Sequence, residues 1–600
     1  MENKMIKEEP PKFSIISHTA EKINTDLLFE KYKPAEEDLK NNYNAFSIKK
    51  IQHYNPIFSC FFDINSENID NTTIYNEYSF FDMETIVNTK DPSKKISKPL
   101  FVKFSPLLDP IHYMIGKYNI DSDEIRTLPG INSNCLAKIN NVHNTAYVDG
   151  FFSYLSSQLQ STHNIFHGIE YYGSYVCLQE KFKMNIADDL EYLNNSNFFI
   201  SNVNKLFTIS SEDENPFLNG GGSRNNRPKI AIQNTKHNLS EISIVEIDDI
   251  ITDSIIPVDD SSNENELIYE KDIQSDIQND NVSEYSSSSE DSSVEDEDEV
   301  ESIIEESSDS NEDKEGEESE EDDDEDDDEE SESDNSDSSQ ESEPQIFAYI
   351  NNFPTQMICL EKCENTLDQL FLKGEIDESE GASALFQIIM TLIIYQKAFH
   401  FTHNDLHTNN IMYINTDIEY LHYEYNNKKY RVPTYGRIYK IIDFGRSIYK
   451  FQNHLFCSDS FMPGGDASTQ YNFGPFFNEK KPRLDPNYSF DLCRLGCSIY
   501  DFIIEDDDEY RDLDDFQKLI YKWCLDDNNK SVLYKKNGEE RYKDFKLYKM
   551  IARTVHNHVP HDQLDDPLFS NYQITMKQWN KIKPEQKIHY LNIDDIPCYV

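Results

Sequence analysis

The stretch HFTHNDLHTNNIMY, His400–Tyr413, crowds three histidines, one aspartate and three asparagines between apolar flanks. His403, Asp405 and Asn410 are spaced H-x-D-x-x-x-x-N, and Asp443-Phe444-Gly445 follows downstream at the end of the strand-like GRIYKIIDFG. This arrangement suits phosphoryl transfer. One carboxylate accepts the proton of an attacking hydroxyl, while a second carboxylate and an amide oxygen hold Mg²⁺ against nucleotide phosphates. The protein has little covalent work to do in such chemistry, so positioning and charge neutralisation dominate.

Rigid elements have to hold these groups. ALFQIIMTLIIYQKAF, Ala384–Phe399, reads as a buried helix that runs into the polar loop; Gln387 and Thr391 interrupt it, and it is too short to span a bilayer. The strand in GRIYKIIDFG presents the second carboxylate at a strand-to-turn junction. Further upstream, residues 1–45 are polar and weakly helical. Aromatic and β-branched residues alternate with polar ones from Ile51 to Phe81 and predict strands. PLFVKF, Pro99–Phe104, is a short strand carrying Lys103. Val148, Phe152, Leu155 and Leu159 fall at i, i+4, i+7 and i+11, the spacing of an amphipathic helix. Strands are expected at IEYYGSYVCL and TQMICLEKC, a helix start at TLDQLFL, and a buried helix at SFDLCRLGCSIYDFII, Ser489–Ile504. The last ninety residues read as mostly helical, and no internal repeat is visible.

Charge marks out a different kind of segment. The formal net charge is −57, and residues 251–345 hold 42 acidic against 2 basic residues. The densest run, Glu320–Glu332, reads EEDDDEDDDEESE. A segment that repels itself and has little apolar surface to bury is expected to be disordered. It would repel nucleic acid and anionic membranes, so it reads as a solvated spacer or as a tail for a basic protein partner. Its serines precede acids, a context that suits an acid-directed kinase. The ten cysteines include no CxxC pair, and the two CxxxC pairs have helical spacing without nearby histidines. Free thiols and an N-terminus without a signal-type apolar stretch point to a reducing, intracellular compartment.

Taken together, and in this order along the chain, these motifs resemble the protein kinase superfamily. Their combinations AYVDGFFSYL and SFDLCRLG, with an Asn-rich composition, are most similar to serine/threonine kinases of giant DNA viruses. The resemblance covers about 46–571 without the acidic segment. It implies an α+β, two-lobed kinase-like fold. The domains would be an N-terminal extension (1–45), a small lobe (46–209), an acidic disordered insertion (210–345), the last small-lobe strand and hinge (346–363), and a large helical lobe (364–600). It implies Asp405 as catalytic base, Asn410 and Asp443 as Mg²⁺ ligands, and Lys103 as the lysine on the α and β phosphates of ATP, paired with Asp149. Leu360, Glu361 and Cys363 would receive adenine, and Asp491 would bond to the backbone of the catalytic loop. The substrate implied is a protein with Ser/Thr hydroxyls, in the host cytoplasm or the virion.

The chain also departs from the family pattern. No glycine lies between Ile51 and Leu100, so the usual Gly-rich phosphate loop is missing. Asp149 is one methylene shorter than the family glutamate. Asn404 replaces the arginine that pairs with an activation-segment phosphate, His407 stands where a lysine is usual, and MPGGD occupies a long segment without A-P-E. These departures leave two alternatives open, a pseudokinase scaffold and a small-molecule phosphotransferase; the latter also uses a D-L-H-x-x-N pattern.

Overall fold

The computed structural model describes residues 12–19, 21–210, 346–505, 510–536, 538–543, 545–582 and 589–600. All of them belong to one of two compact units, 1–257 with 344–600. The other unit lies outside the described residues, as does the acidic insertion expected over 210–345 apart from Ser210. The architecture is mixed α+β, as expected.

The first part of the chain forms β1 (Ile48–Gln52), β2 (Tyr78–Asp82), β3 (Thr85–Asn88), β4 (Asp91–Ser97), β5 (Leu100–Pro106), helix α1 (Thr145–His163), β6 (Tyr171–Asn185) and β7 (Phe207–Ser210). After the undescribed stretch comes β8 (Phe347–Glu361). The main sheet is antiparallel with order β1-β6-β8-β5, and β7 also pairs with β8. β2, β3 and β4 form a separate antiparallel meander that feeds into β5. Strand content between Ile51 and Phe81 is lower than expected, because Pro56 opens a 3₁₀ turn over Pro56–Cys60. On β5, Val102 and Phe104 pack with Phe46, Tyr175, Met357 and Cys359. Alternation therefore sends Lys103 to the opposite face, toward α1. Asn144 caps α1 by accepting from the Ala146 amide. Gly150 lets the helix approach β8, since a Cβ there would lie 2.7 Å from Gln356 Nε2.

Helix α2 (Glu378–Phe399) starts earlier than expected, behind the N-cap Asp377, and reaches 22 residues. By length and composition it is long and apolar enough to cross a membrane, so the expectation that it is too short is corrected; nearly all of its most apolar window is buried inside the protein. It ends at His400 in a left-handed conformation (φ 52°), which turns the chain into the polar loop. β9 (Ile411–Asn415) follows, then a hairpin of β10 (Tyr420–Tyr425) and β11 (Lys428–Pro433) that sequence reasoning missed, then β12 (Arg437–Ile441), antiparallel to β9. A second hairpin, β13 (Ile448–Phe451) and β14 (His454–Cys457), precedes helix α3 (Phe490–Ile503). Helices α4 (Asp515–Trp523) and α5 (Phe545–Thr554) are the longest described after it. The final ninety residues are therefore not mostly helical. The Asp/Asn run at 526–529 and prolines 560 and 567 break the chain into short turns and bridges.

Candidate active site

β5, α1 and the turn after β12 meet at Lys103. Its Nζ lies 2.7 Å from Asp149 Oδ2 and 2.9 Å from Asp443 Oδ1. All three side chains are nearly buried. Burial disfavours the ammonium, but the two carboxylates outweigh it and raise the lysine pKa. Burial, together with the Asp443 charge, pushes the Asp149 carboxyl up against the pull of Lys103. The second Asp149 oxygen accepts from the Phe444 amide at 2.9 Å, so the one-methylene-shorter side chain still ties α1 to the D-F-G turn. Asp443 itself sits at φ 59°, a left-handed conformation that costs a non-glycine residue about 1 kcal/mol or more.

The polar loop is held from below by α3. Asp491 Oδ2 and Oδ1 accept from the His403 and Asn404 amides at 2.9 and 2.8 Å, the bonds expected from the sequence. Burial pushes the Asp491 carboxyl up, opposed by His403 and those two amides. His403 is fully buried, and its Nε2 bonds to the Ile442 carbonyl at 2.9 Å, which links the loop to the strand carrying Asp443. Asn410 Nδ2 donates to the Asp405 carbonyl at 2.9 Å and lies 3.1 Å from His407 Nε2. That use of the amide nitrogen leaves its oxygen as the group suited to a cation.

Asp405 meets groups that sequence reasoning did not find. The Tyr548 hydroxyl, on α5, donates to Asp405 Oδ1 at 2.6 Å, and Arg446 Nε lies 3.9 Å from Oδ2. Burial pushes the Asp405 carboxyl up, but Arg446, His407, Arg494 and the Tyr548 hydroxyl together prevail and hold it well below the usual carboxylate range. Asn404 is fully buried; its Nδ2 donates to the Arg446 carbonyl at 3.1 Å, and its Oδ1 accepts from the Tyr471 hydroxyl at 2.8 Å. Arg446 Nη2 in turn pairs with Asp466 of MPGGD at 2.7 Å. The segment after D-F-G is thus fixed by a neutral tyrosine–asparagine bond and an arginine–aspartate pair.

Leu360, Glu361 and Cys363 lie at the end of β8 and just beyond it, all buried. Glu361 Oε1 accepts from Lys440 and from the Glu170 amide. The turn between β3 and β4 contains no glycine; Asn88 Oδ1 accepts from the Lys90 and Asp91 amides instead. Among the described residues no group of three or more His, Cys, Asp or Glu could hold a metal ion. The donor set of Asp443 and Asn410 nevertheless fits Mg²⁺, which is bound through one or two protein oxygens plus substrate phosphates rather than in an all-protein cage.

No protein-family model matches the chain. The uncharacterized protein 098R of Invertebrate iridescent virus 6 is 28% identical over 229 residues, covering 36% of this chain and 35% of that protein. The serine/threonine-protein kinase haspin of Bos taurus is 37% identical over 90 residues, 14% of this chain and 12% of the kinase. Mouse haspin is 37% identical over 62 residues, 10% of this chain and 8% of the kinase. The chain thus spans about a third of the viral relative and about a tenth of each haspin, and the similarity to haspin is a kinase-like relation of limited extent.

Proposed function

We propose that the chain is a protein kinase that transfers the γ-phosphate of ATP, with Mg²⁺, to Ser/Thr hydroxyls of a protein substrate. The observation that carries this reading is the shared pairing of Lys103 with Asp149 and Asp443. Three groups from distant parts of the sequence converge as a charged, nearly buried set beside a loop that α3 clamps through Asp491. In this reading the sheet containing β5 and β8 forms the small lobe of a two-lobed fold, α2 to α5 build the large lobe, and residues 211–345 are the insertion between β7 and β8. The partial similarity to haspin supports a protein acceptor.

Lys103 orients the α and β phosphates, and Asp149 keeps its ammonium aimed. Asp405 takes the proton of the acceptor hydroxyl as the oxygen attacks phosphorus. Asp443 and Asn410 would hold Mg²⁺, which would supply charge neutralisation for the phosphates. Leu360, Glu361 and Cys363 line the edge at which adenine would sit. α2 serves as a core helix rather than a membrane span, and ten free cysteines suit a reducing, intracellular site such as host cytoplasm or virion. The acidic insertion serves as a solvated spacer or as a tail for a basic protein partner.

The glycine-free β3–β4 turn favours a second reading, a nucleotide-binding scaffold without transfer. Labelled ATP with generic protein substrates separates the two. A kinase yields Mg²⁺-dependent phosphoserine or phosphothreonine that Asp405→Asn removes while nucleotide binding persists; binding without any labelled product favours the scaffold.

A further inference from the structure

The Tyr548 phenol lies at the centre of a short relay that the catalytic assignments above do not use. Its hydroxyl donates to Asp405 Oδ1 at 2.6 Å and accepts from Arg494 Nε at 2.8 Å. The hydroxyl proton is therefore committed to Asp405, and its oxygen also holds Arg494. Donation to an ionised carboxylate is charge-assisted and geometrically restrictive. Tyr548 is 5% exposed. It stacks on Phe545 with centroids 5.3 Å apart, lies 6.0 Å from Phe490, and has the Arg494 guanidinium 5.1 Å from its centroid. Arg494 and Asp491 belong to the same helix, α3. One helix thus holds the loop twice: its backbone through Asp491, and the Asp405 side chain through Arg494 and Tyr548.

We propose that Tyr548 is a positioning residue for Asp405, fixing the rotation of the carboxylate through Oδ1 so that Oδ2 is presented to the acceptor hydroxyl. This rests on the kinase reading above. A free carboxylate on a loop rotates about χ2, a broad and roughly two-fold torsion, and a base must lie within hydrogen-bond reach of the proton it takes. Asp405 lacks the lysine that kinases usually place two residues on, since His407 stands there and is engaged by Asn410. The phenol supplies a fixed donor in its place. The alternative, that the hydroxyl imitates a substrate and must leave before one binds, fits poorly. The ring is packed on both sides, and its departure would strip Arg494 and Asp405 of a shared partner.

The test is steady-state transfer to a peptide by the full chain, comparing wild type with Tyr548→Phe and Arg494→Gln from about pH 3 to pH 9, with ATP affinity and thermal unfolding as controls. The expected result for Tyr548→Phe is a fall in kcat of about ten- to hundredfold, the scale of a small misplacement of a reacting group. KM for ATP and peptide should stay within about twofold, and the acid limb of the profile should move to higher pH because Asp405 loses a donor. Arg494→Gln should shift the same quantities in the same direction by less, and it carries the test if Tyr548→Phe does not fold. Unchanged kcat and acid limb in a folded variant, or a rise in kcat on removing the hydroxyl, overturns the proposal and leaves the kinase reading intact. Absence of transfer by wild type that binds ATP overturns the kinase reading itself.

Discussion

Replacing Lys103 with methionine removes the cation that Asp149 and Asp443 share. The side chains of Lys103, Asp149 and Asp443 are 8%, 4% and 11% exposed, so solvent does little to screen the loss. Removing one partner of a buried pair costs about 3–5 kcal/mol, because the other charge is left uncompensated. Asp149 keeps the Phe444 amide, which places the expected cost at the lower end, about 3 kcal/mol. The cost should depend on pH. Burial and Asp443 already push the Asp149 carboxyl up, and without Lys103 it rises further above its unfolded value. A carboxyl with a raised folded-state pKa binds more protons folded than unfolded. Stability therefore falls as pH climbs from the ordinary carboxylate range through the raised value, and returns as pH falls. Urea unfolding of the wild type and Lys103→Met at pH 5.5 and 8 measures this, and the deficit should be larger at pH 8. Adding Asp149→Asn to the variant should recover part of it. A deficit below about 1 kcal/mol at both pH values, or one that does not change with pH, refutes the reasoning, since the triad would then be behaving as a solvated surface pair.

Four further outcomes follow from the geometry. Phosphatase treatment should leave the transfer rate unchanged, because Asn404–Tyr471 and Arg446–Asp466 fix the segment after D-F-G without a phosphate; a large drop, reversed by preincubation with ATP and Mg²⁺, would count against this. Asp466→Asn should lower the rate several-fold and destabilise the segment, read as faster proteolysis between 446 and 488. Because several charges hold the Asp405 carboxyl low, activity should persist below about pH 4, where an unperturbed aspartate is half protonated; Arg446→Met should move that acid limit upward. Replacing 211–345 with a short Gly/Ser linker should leave peptide phosphorylation intact, because Ser210 and Phe347 are paired directly across β7 and β8 and loop-closure cost grows slowly with length; a folded but inactive product would show that the insertion takes part in the site.

The parts of the site carried by contiguous motifs were legible in the sequence. His403, Asp405, Asn410 and Asp443 sit in short strings; the spacing of Val148, Phe152, Leu155 and Leu159 gave the helix, while the pairing of Asp149 with Lys103 came only from the family resemblance. Asp491 was legible only through the family resemblance carried by SFDLCRLG, since an acid at the start of an apolar helix has no such role by itself. Tyr548 and Arg494 were not, since their approach to Asp405 depends on how α5 docks on α3, and no local pattern encodes that. The β10–β11 hairpin did carry a signal: YLHYEYNNKKYRVP alternates around Asn426-Asn427, both at positive φ (51° and 60°), as the tight hairpin turn requires. The helical reading of the last ninety residues failed because hydrophobic spacing there is met by short turns, with Pro560 and Pro567 each opening one.

The most direct test of the central claim is to measure nucleotide affinity and γ-phosphoryl transfer on one preparation of the full chain, with Mg²⁺ and with EDTA, for wild type and Asp443→Ala. The account predicts Mg²⁺-dependent transfer by wild type and loss of it in a variant that stays folded, because the cation then lacks its carboxylate. Transfer by Asp443→Ala at the wild-type rate, or tight nucleotide binding by wild type with no transfer at all, would contradict it.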